Sequence, residues 1–270
     1  MNLKVYGCRG SYPISKSSRY GGNTSCMTLT HGNSLIVLDA GSGLFRLNDE
    51  LRLKYPDYPK NFPFDINVLI SHLHLDHIIG LPGFSPIWCK GSKTRIYTKS
   101  RNDKPLALQV FGAFKPPYWP RSMSEVSYAE CIENTEPLII NDLTVTTIPL
   151  SHADKTIGFK ITNGLKTVVY LLDNEISPGA IQDELVEYCH SADLVVFDAA
   201  YTPEDYLKKI GWGHSTVQVG VVLADKCKCK KMLFAHFAQE YTDEVLDNLK
   251  LVVPDDGRFL FAHEGMEISI

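Results

Sequence analysis

The sequence predicts an α/β (α+β) chain built as two β-sheets packed face to face, with helices on both outer sides. Its first half is mostly strand–turn–strand patterns, and its second half alternates strands with helical stretches. A two-sheet sandwich jacketed by helices gives both patterns one shared core. The apolar fraction, 44% of 270 residues, is large enough for that core, and no fixed repeat, linker or low-complexity tract divides the chain. A single domain over residues 1–270 is expected.

Leu3 to Gly7 reads as the first strand, broken by Gly7-Cys8-Arg9-Gly10-Ser11 and followed by a Ser/Gly-rich loop to Asn23. Ser25 to Thr30 and Leu35 to Asp39 form a hairpin around His31-Gly32-Asn33. A helix runs from Leu44 to about Leu53 and is closed by Tyr55-Pro56, because the residue before proline is disfavoured in helix. Ile66 to Ile70 is apolar and β-branched, the pattern of a buried strand, and Ile78 to Pro82 opens a helix that Gly80 and Pro82 soon stop. Thr94 to Thr98 is a short strand, Lys104 to Phe114 a helix, and Lys115 to Pro120 a rigid aromatic loop. Leu138 to Ile140 and Leu143 to Ile148 flank Asn141-Asp142; Ile157 to Thr162 and Leu165 to Leu172 flank Asn163-Gly164, a dipeptide in which both residues tolerate positive φ. Ser177-Pro178 supplies the N-cap and first residue of a helix to about His190. Leu194 to Phe197 is a buried strand ending at Asp198. Ser215 or Thr216 caps a helix to about Asp225, Lys231 to Ala235 is a strand ending at His236, and Thr242 caps a helix to about Leu249. Phe259 to Ala262 and Met266 to Ile270 close the chain as strands.

Composition narrows the function classes. Net charge is −4, and the densest basic cluster, Lys226, Lys228, Lys230 and Lys231, reads as the solvated end of a helix. A protein gripping a long polyanion usually shows a basic face, so a small substrate is favoured over long nucleic acid. Seven scattered Cys fit reduced thiols in a cytoplasmic protein; Cys227-Lys-Cys229 has no second pair nearby and reads as structural. No apolar run of about 20 residues is present to span a membrane, and the N-terminus lacks the apolar core of a signal peptide.

The chemistry concentrates in Ser71-His72-Leu73-His74-Leu75-Asp76-His77. Three His and one Asp within six positions, at the end of a core strand, are hard to explain as packing. His72 and His74 are two apart, so extended backbone projects both rings to one side, while Asp76 and His77 follow as the chain turns. Imidazole and carboxylate together suit zinc and neighbouring transition metals. Further along lie His152 in Pro149-Leu150-Ser151-His152-Ala153-Asp154, Asp198 in Phe197-Asp198-Ala199-Ala200-Tyr201, His214 in Gly213-His214-Ser215-Thr216, and His236 in Ala235-His236-Phe237. Singly, each has a structural explanation; their order after the first run is what informs.

That order, HxHxDH followed by His, Asp and His, resembles the metallo-β-lactamase-fold hydrolases, on their phosphodiesterase and tRNase Z side. Gly213-His214-Ser215-Thr216 is similar to that branch's His-Ser-Thr element, and Ala262-His263-Glu264-Gly265-Met266 to its terminal Asp-Gly-Met strand, with Glu264 in place of Asp. Arg9-Gly10-Ser11 and Tyr20 to Ser25 resemble the opening of a prokaryotic subgroup. The resemblance covers nearly the whole chain and implies an αββα four-layer sandwich with a dinuclear metal site. It implies His72, His74 and His152 on one metal, Asp76, His77 and His236 on the second, and Asp198 bridging them. His at 74, where flavodiiron proteins carry Glu, disfavours iron-based oxygen chemistry; Asp at 198, where many true β-lactamases carry Cys, disfavours lactam hydrolysis.

The expected activity is hydrolysis of a small phosphodiester, with a 3′,5′-cyclic nucleotide as the first choice. Two divalent ions, Zn2+ first with Mn2+ or Fe2+ as alternatives, make hydroxide at neutral pH and clamp the phosphate. Asp76 and His214 are the catalytic candidates, His214 as general acid for the leaving alkoxide because imidazole titrates near neutrality. Asp39 is expected to orient a ligand, and Glu264 or Asp154 to orient a histidine. Phe111, Phe114, Tyr118 and Trp119 are open between a base-stacking wall, core and a dimer contact; a homodimer is expected. A tRNase Z-type endoribonuclease is the alternative on the same site. A nucleotide- or metal-binding module without turnover is the alternative of another class, disfavoured because every ligand type and His214 are present.

Overall fold

The structure, a computed structural model, describes residues 1–15, 18–57, 65–152 and 155–270. The first seven-stranded sheet contains β1 (Asn2–Gly7), β2 (Cys26–His31), β3 (Ser34–Leu38), β4 (Asp65–Leu69), β5 (Thr94–Thr98), β6 (Glu130–Glu133) and, at its far edge beside β1, β14 (Glu267–Ser269). The second contains β7 (Leu138–Ile140), β8 (Leu143–Pro149), β9 (Ile157–Thr162), β10 (Thr167–Leu171), β11 (Leu194–Asp198), β12 (Met232–Ala235) and β13 (Phe259–Phe261). Each sheet is antiparallel in one half and parallel in the other: β3, β4, β5 and β6 run parallel in the first, and β10 to β13 in the second. The central parallel strands are the most buried; β3 and β11 are buried at every residue, as strands covered on both faces must be.

Leu29, Ile36 and Leu38 of the first sheet share a core with Val145, Phe159, Ile161 and Val196 of the second. The outer face of the first sheet packs Val37 and Val68 against Leu44 and Leu47 of α1 (Gly43–Lys54), and against Phe84 and Ile87 in the 3-10 turns that follow α2 (Leu75–Ile78). Further short helices on this side are α3 (Leu106–Val110) and α4 (Met123–Val126); the second sheet is covered by α5 (Asp183–Tyr188), α6 (Pro203–Lys208), α7 (Val217–Cys227) and α8 (Asp243–Lys250). The result is the four-layer αββα sandwich that the sequence predicts. Thr202, Thr216 and Thr242 cap α6, α7 and α8 by accepting a backbone N–H with the side chain, the device that makes threonine a helix-start residue.

Several elements differ from expectation. The helix expected from Ser177 begins only at Asp183, because Gly179 takes φ +82 and turns the chain out of the helical region first. The helix expected from Lys104 shrinks to Leu106–Val110, with Pro105 extended at its start. α2 opens at Leu75, earlier than Ile78, and so carries Asp76 and His77 in its first turn. β6, α4 and α6 had no counterpart in the expected elements; β6 is short and largely solvent-facing, so its residues carry no alternation of apolar and polar to read. No helix is long and apolar enough to cross a membrane among the described residues.

Candidate metal centre

The site lies where the chain leaves the carboxyl ends of β4, β8, β10, β11 and β12, so stiff strands aim loops into one crevice. β4 delivers His72 and the α2 turn delivers Asp76 and His77. β8 leads to His152, β10 to Asp173, β11 ends on Asp198 and β12 leads to His236. His72, His74 and His152 come together with ring centroids 4.4 to 5.1 Å apart, and His152 Nε2 stands 3.2 Å from His74 Nδ1. Asp76, His77, Asp173 and His236 form a second group, with every ligand atom of each group within 4.8 Å of the others.

Asp173 reaches both groups. Its Oδ2 is 3.0 Å from His77 Nε2 and its Oδ1 is 3.4 Å from His236 Nε2, 3.6 Å from His152 Nε2 and 3.8 Å from His72 Nε2. The carboxylate that faces both groups is therefore Asp173, whereas Asp198, expected in that place, lies behind it. Asp198 is already committed: Oδ2 accepts from His214 Nδ1 at 2.8 Å and from the N–H groups of Asp173 and Asn174, and Oδ1 accepts from Ala200 and Ser215 N–H. Asp198, His214 and His236 also satisfy ligand spacing, but those five donors leave Asp198 little capacity for a cation. The parallel register explains the exchange. Leu171 pairs with Phe197, so Asp198 is level with Leu172, and Asp173 stands one residue nearer the crevice. A signal for Asp173 existed in the sequence: it directly follows an apolar strand, the same placement that singled out Asp198 and His236.

Four of the five rings have a partner on Nδ1 that leaves Nε2 for the crevice, whereas His74 turns its Nδ1 toward His152. His72 Nδ1 meets Ser71 Oγ at 3.1 Å, His77 Nδ1 meets Asp39 Oδ2 at 2.8 Å, His152 Nδ1 meets the Gly213 carbonyl at 2.9 Å, and His236 Nδ1 meets Ser25 Oγ at 2.9 Å. Such partners fix the tautomer and aim of a metal-binding imidazole. Asp39 takes the orienting place expected of it; it also accepts from Ser71 N–H, Ser71 Oγ and the Tyr170 hydroxyl. Glu264 orients no histidine. It accepts from Gly22 and Asn23 N–H and pairs with Arg46, pinning the turn ahead of Ser25. Asp154 lies outside the described residues. Of the aromatic segment, Phe111 and Phe114 are core, while Tyr118 is 83% and Trp119 36% exposed.

The donor set fits divalent cations. Among the described residues, His72 Nε2 and His236 Nε2 are buried without a hydrogen-bond partner, and His77 Nε2 faces the Asp173 and Asp76 carboxylates at 3.0 and 3.3 Å, donor atoms that a bound cation would satisfy. Burial and neighbouring imidazoles hold His72 below the ordinary histidine range, and burial does the same to His74 and His236; neutral rings are the form that binds metal. Burial alone would lower His77, yet Asp173, Asp76 and Asp39 outweigh it and push it up. Burial would raise Asp76 and Asp173, but the surrounding histidines hold both down as carboxylates. Asp76 Oδ2 also accepts the Ser11 N–H at 2.8 Å. His214 stacks on His236 at 5.0 Å; burial opposes its charge, but Asp198 outweighs burial and raises it to about 9.

Residues 35–237 match the family model described as the beta-lactamase superfamily domain. The chain belongs to the beta-lactamase superfamily. Its relatives within the superfamily include a ribonuclease Z of Azobacteroides pseudotrichonymphae genomovar. CFP2, 22% identical over 99% of this chain and 98% of that protein. The metallo-beta-lactamase fold protein YhfI of Bacillus subtilis has the same fold, with a TM-score of 0.70 at 21% identity over 99% of both chains. So does the short form of human tRNase Z, with a TM-score of 0.68 at 20% identity over 100% of this chain and 99% of that one. The superfamily fold gives the crevice its place at the strand ends, and this member fills it with five imidazoles and two carboxylates in ligand-spaced groups, with His214 on Asp198 beside them.

Proposed function

We propose that this protein is a metal-dependent phosphodiesterase that cleaves a phosphodiester of RNA. The observation that carries the reading is the pairing of a cation-ready donor cluster with an imidazole at its edge that a buried carboxylate holds at 2.8 Å. His72, His74 and His152 would hold one divalent cation, and Asp76, His77 and His236 a second, with Asp173 between them. Cations bound there supply charge neutralisation for a phosphodiester and an activated water. His214 lies against His236 and His152 and donates its ring proton to Asp198 through Nδ1, which leaves the Nε2 proton of the imidazolium to give to a departing oxygen. Asp198 holds the imidazolium in charge and direction. It does so from a buried position with no exposed surface.

The choice of RNA is supported by curated relatives named ribonuclease Z that align along nearly all of this chain. The second reading, a 3′,5′-cyclic nucleotide, is supported by the net charge of −4, which disfavours a long polyanion. One experiment decides: the metal-loaded protein is offered precursor tRNA, a panel of cyclic nucleotides and bis-p-nitrophenyl phosphate, with metal content measured on the same sample. Precursor-tRNA cleavage that weakens steeply with salt upholds the RNA reading; turnover of cyclic nucleotides alone replaces it with the second. No turnover of any diester by metal-loaded protein sinks both. His214→Ala is expected to lower kcat by about 10²–10⁴ with metal content unchanged, the usual range for a lost acid.

A further inference from the structure

Glu175, two residues beyond Asp173, spends its carboxylate on the turn that precedes His214. Oε2 accepts Gly213 N–H at 2.7 Å, and Oε1 accepts Gly211 N–H at 2.8 Å and the Tyr206 hydroxyl at 3.4 Å. Both glycines have positive φ, +86 at Gly211 and +87 at Gly213, a backbone state that leaves their N–H groups outside any regular ladder and in need of an acceptor. The opposite side of the turn faces His152. The Gly213 carbonyl accepts His152 Nδ1–H at 2.9 Å, and the approach is so close that a Cβ on Gly213 would lie 1.9 Å from Nδ1. Gly213 is thus clamped through its N–H by Glu175 and through its carbonyl by His152. Main-chain bonds complete the link, with Glu175 N–H donating to Ser151 O at 2.8 Å.

We propose that Glu175 is a positioning residue. It braces the Gly211–Gly213 turn so that the Gly213 carbonyl fixes His152 in the Nδ1–H tautomer, with Nε2 turned toward His72 and His74. The proposal rests on the metal-dependent reading above but not on which phosphodiester is cleaved. Without the carboxylate, two glycine N–H groups lose their acceptor, the turn relaxes, and the His152 ring loses the bond that aims it. His77 and His236 are held instead by Asp39 and Ser25, which Glu175 does not touch. The expected defect is therefore confined to one side of the site.

The test is Zn2+ titration calorimetry on metal-free wild type, Glu175→Ala and Glu175→Gln, with nitrogen-15 NMR of the His152 ring in the metal-free proteins. In Glu175→Ala one binding event weakens by about 10- to 100-fold, the range for losing a partner behind a metal ligand, while the other stays within about threefold on the same comparison. The His152 ring leaves the single Nδ1–H tautomer. Glu175→Gln, whose carbonyl oxygen replaces one acceptor, recovers part of both. Unchanged binding with an unchanged His152 tautomer overturns the proposal, and so does equal weakening of both events together with a lowered melting temperature, the mark of a merely structural role. A wild type that binds no Zn2+ overturns the metal reading instead, and the tautomer comparison then upholds or overturns the role of Glu175 by itself.

Discussion

Tyr170→Phe isolates the tie between the two sheets at the site. Tyr170 stands on β10, and its hydroxyl donates at 2.9 Å to Asp39 Oδ2, just past β3 in the opposite sheet. Both residues are fully buried. A hydrogen bond to a charged group is worth about 1.5–3 kcal/mol net. Asp39 Oδ2 keeps Ser71 Oγ and His77 Nδ1 as donors, so the mutation strands no acceptor. Phenylalanine preserves the ring's packing, which places the loss near the lower end, about 1.5–2 kcal/mol. For a chain of this size each kcal/mol moves the melting temperature by about 2–4 °C, so a fall of roughly 3–8 °C is expected. Urea denaturation and calorimetry on metal-free protein measure it, with an unchanged urea slope as the sign that the same surface unfolds. A loss below about 0.5 kcal/mol, the level of an indifferent surface change, would refute the claim that this hydroxyl links the sheets through Asp39.

The two aspartates should separate under mutation. Asp173→Asn keeps the side-chain shape but removes the charge shared by both groups, so bound metal measured by elemental analysis falls below two per chain; Asp198→Asn keeps the metal and loses turnover. The reverse pattern would restore Asp198 as the bridge. A pH effect follows from His214, whose ionisation Asp198 raises to about 9 against the opposing effect of burial, while an unfolded histidine titrates near 6.5. A raised histidine contributes its full stability below the unfolded value and loses it as pH climbs through the folded one. The stability advantage of metal-free wild type over His214→Asn should accordingly shrink by about 3 kcal/mol between pH 6.5 and 9. A difference that stays constant across that window would disprove it.

Local composition announced most of the site. His72, His74, Asp76 and His77 are legible because four ligand types crowd the end of one strand, where neither packing nor solubility requires them. His152, His214 and His236 are legible through their order. Asp173 was not, because a single Asp after a strand is also an ordinary turn residue, and nothing local distinguishes it from Asp198. The strand register decided between the two, since a one-residue offset between β10 and β11 carries one carboxylate into the crevice and leaves the other beneath it to hold His214.

The sequence by itself determined the two-sheet architecture, the donor types and their rough placement at strand ends, because apolar alternation, turn residues and the clustering of imidazoles act over a few neighbouring positions. Only the tertiary structure decided which carboxylate is shared, that Asp198 serves His214, and that Glu175 and Asp39 stand behind His152 and His77. Those assignments depend on angstrom-scale distances between segments far apart in the chain, and such distances follow from how the sheets pack and register, not from any residue's neighbours in sequence.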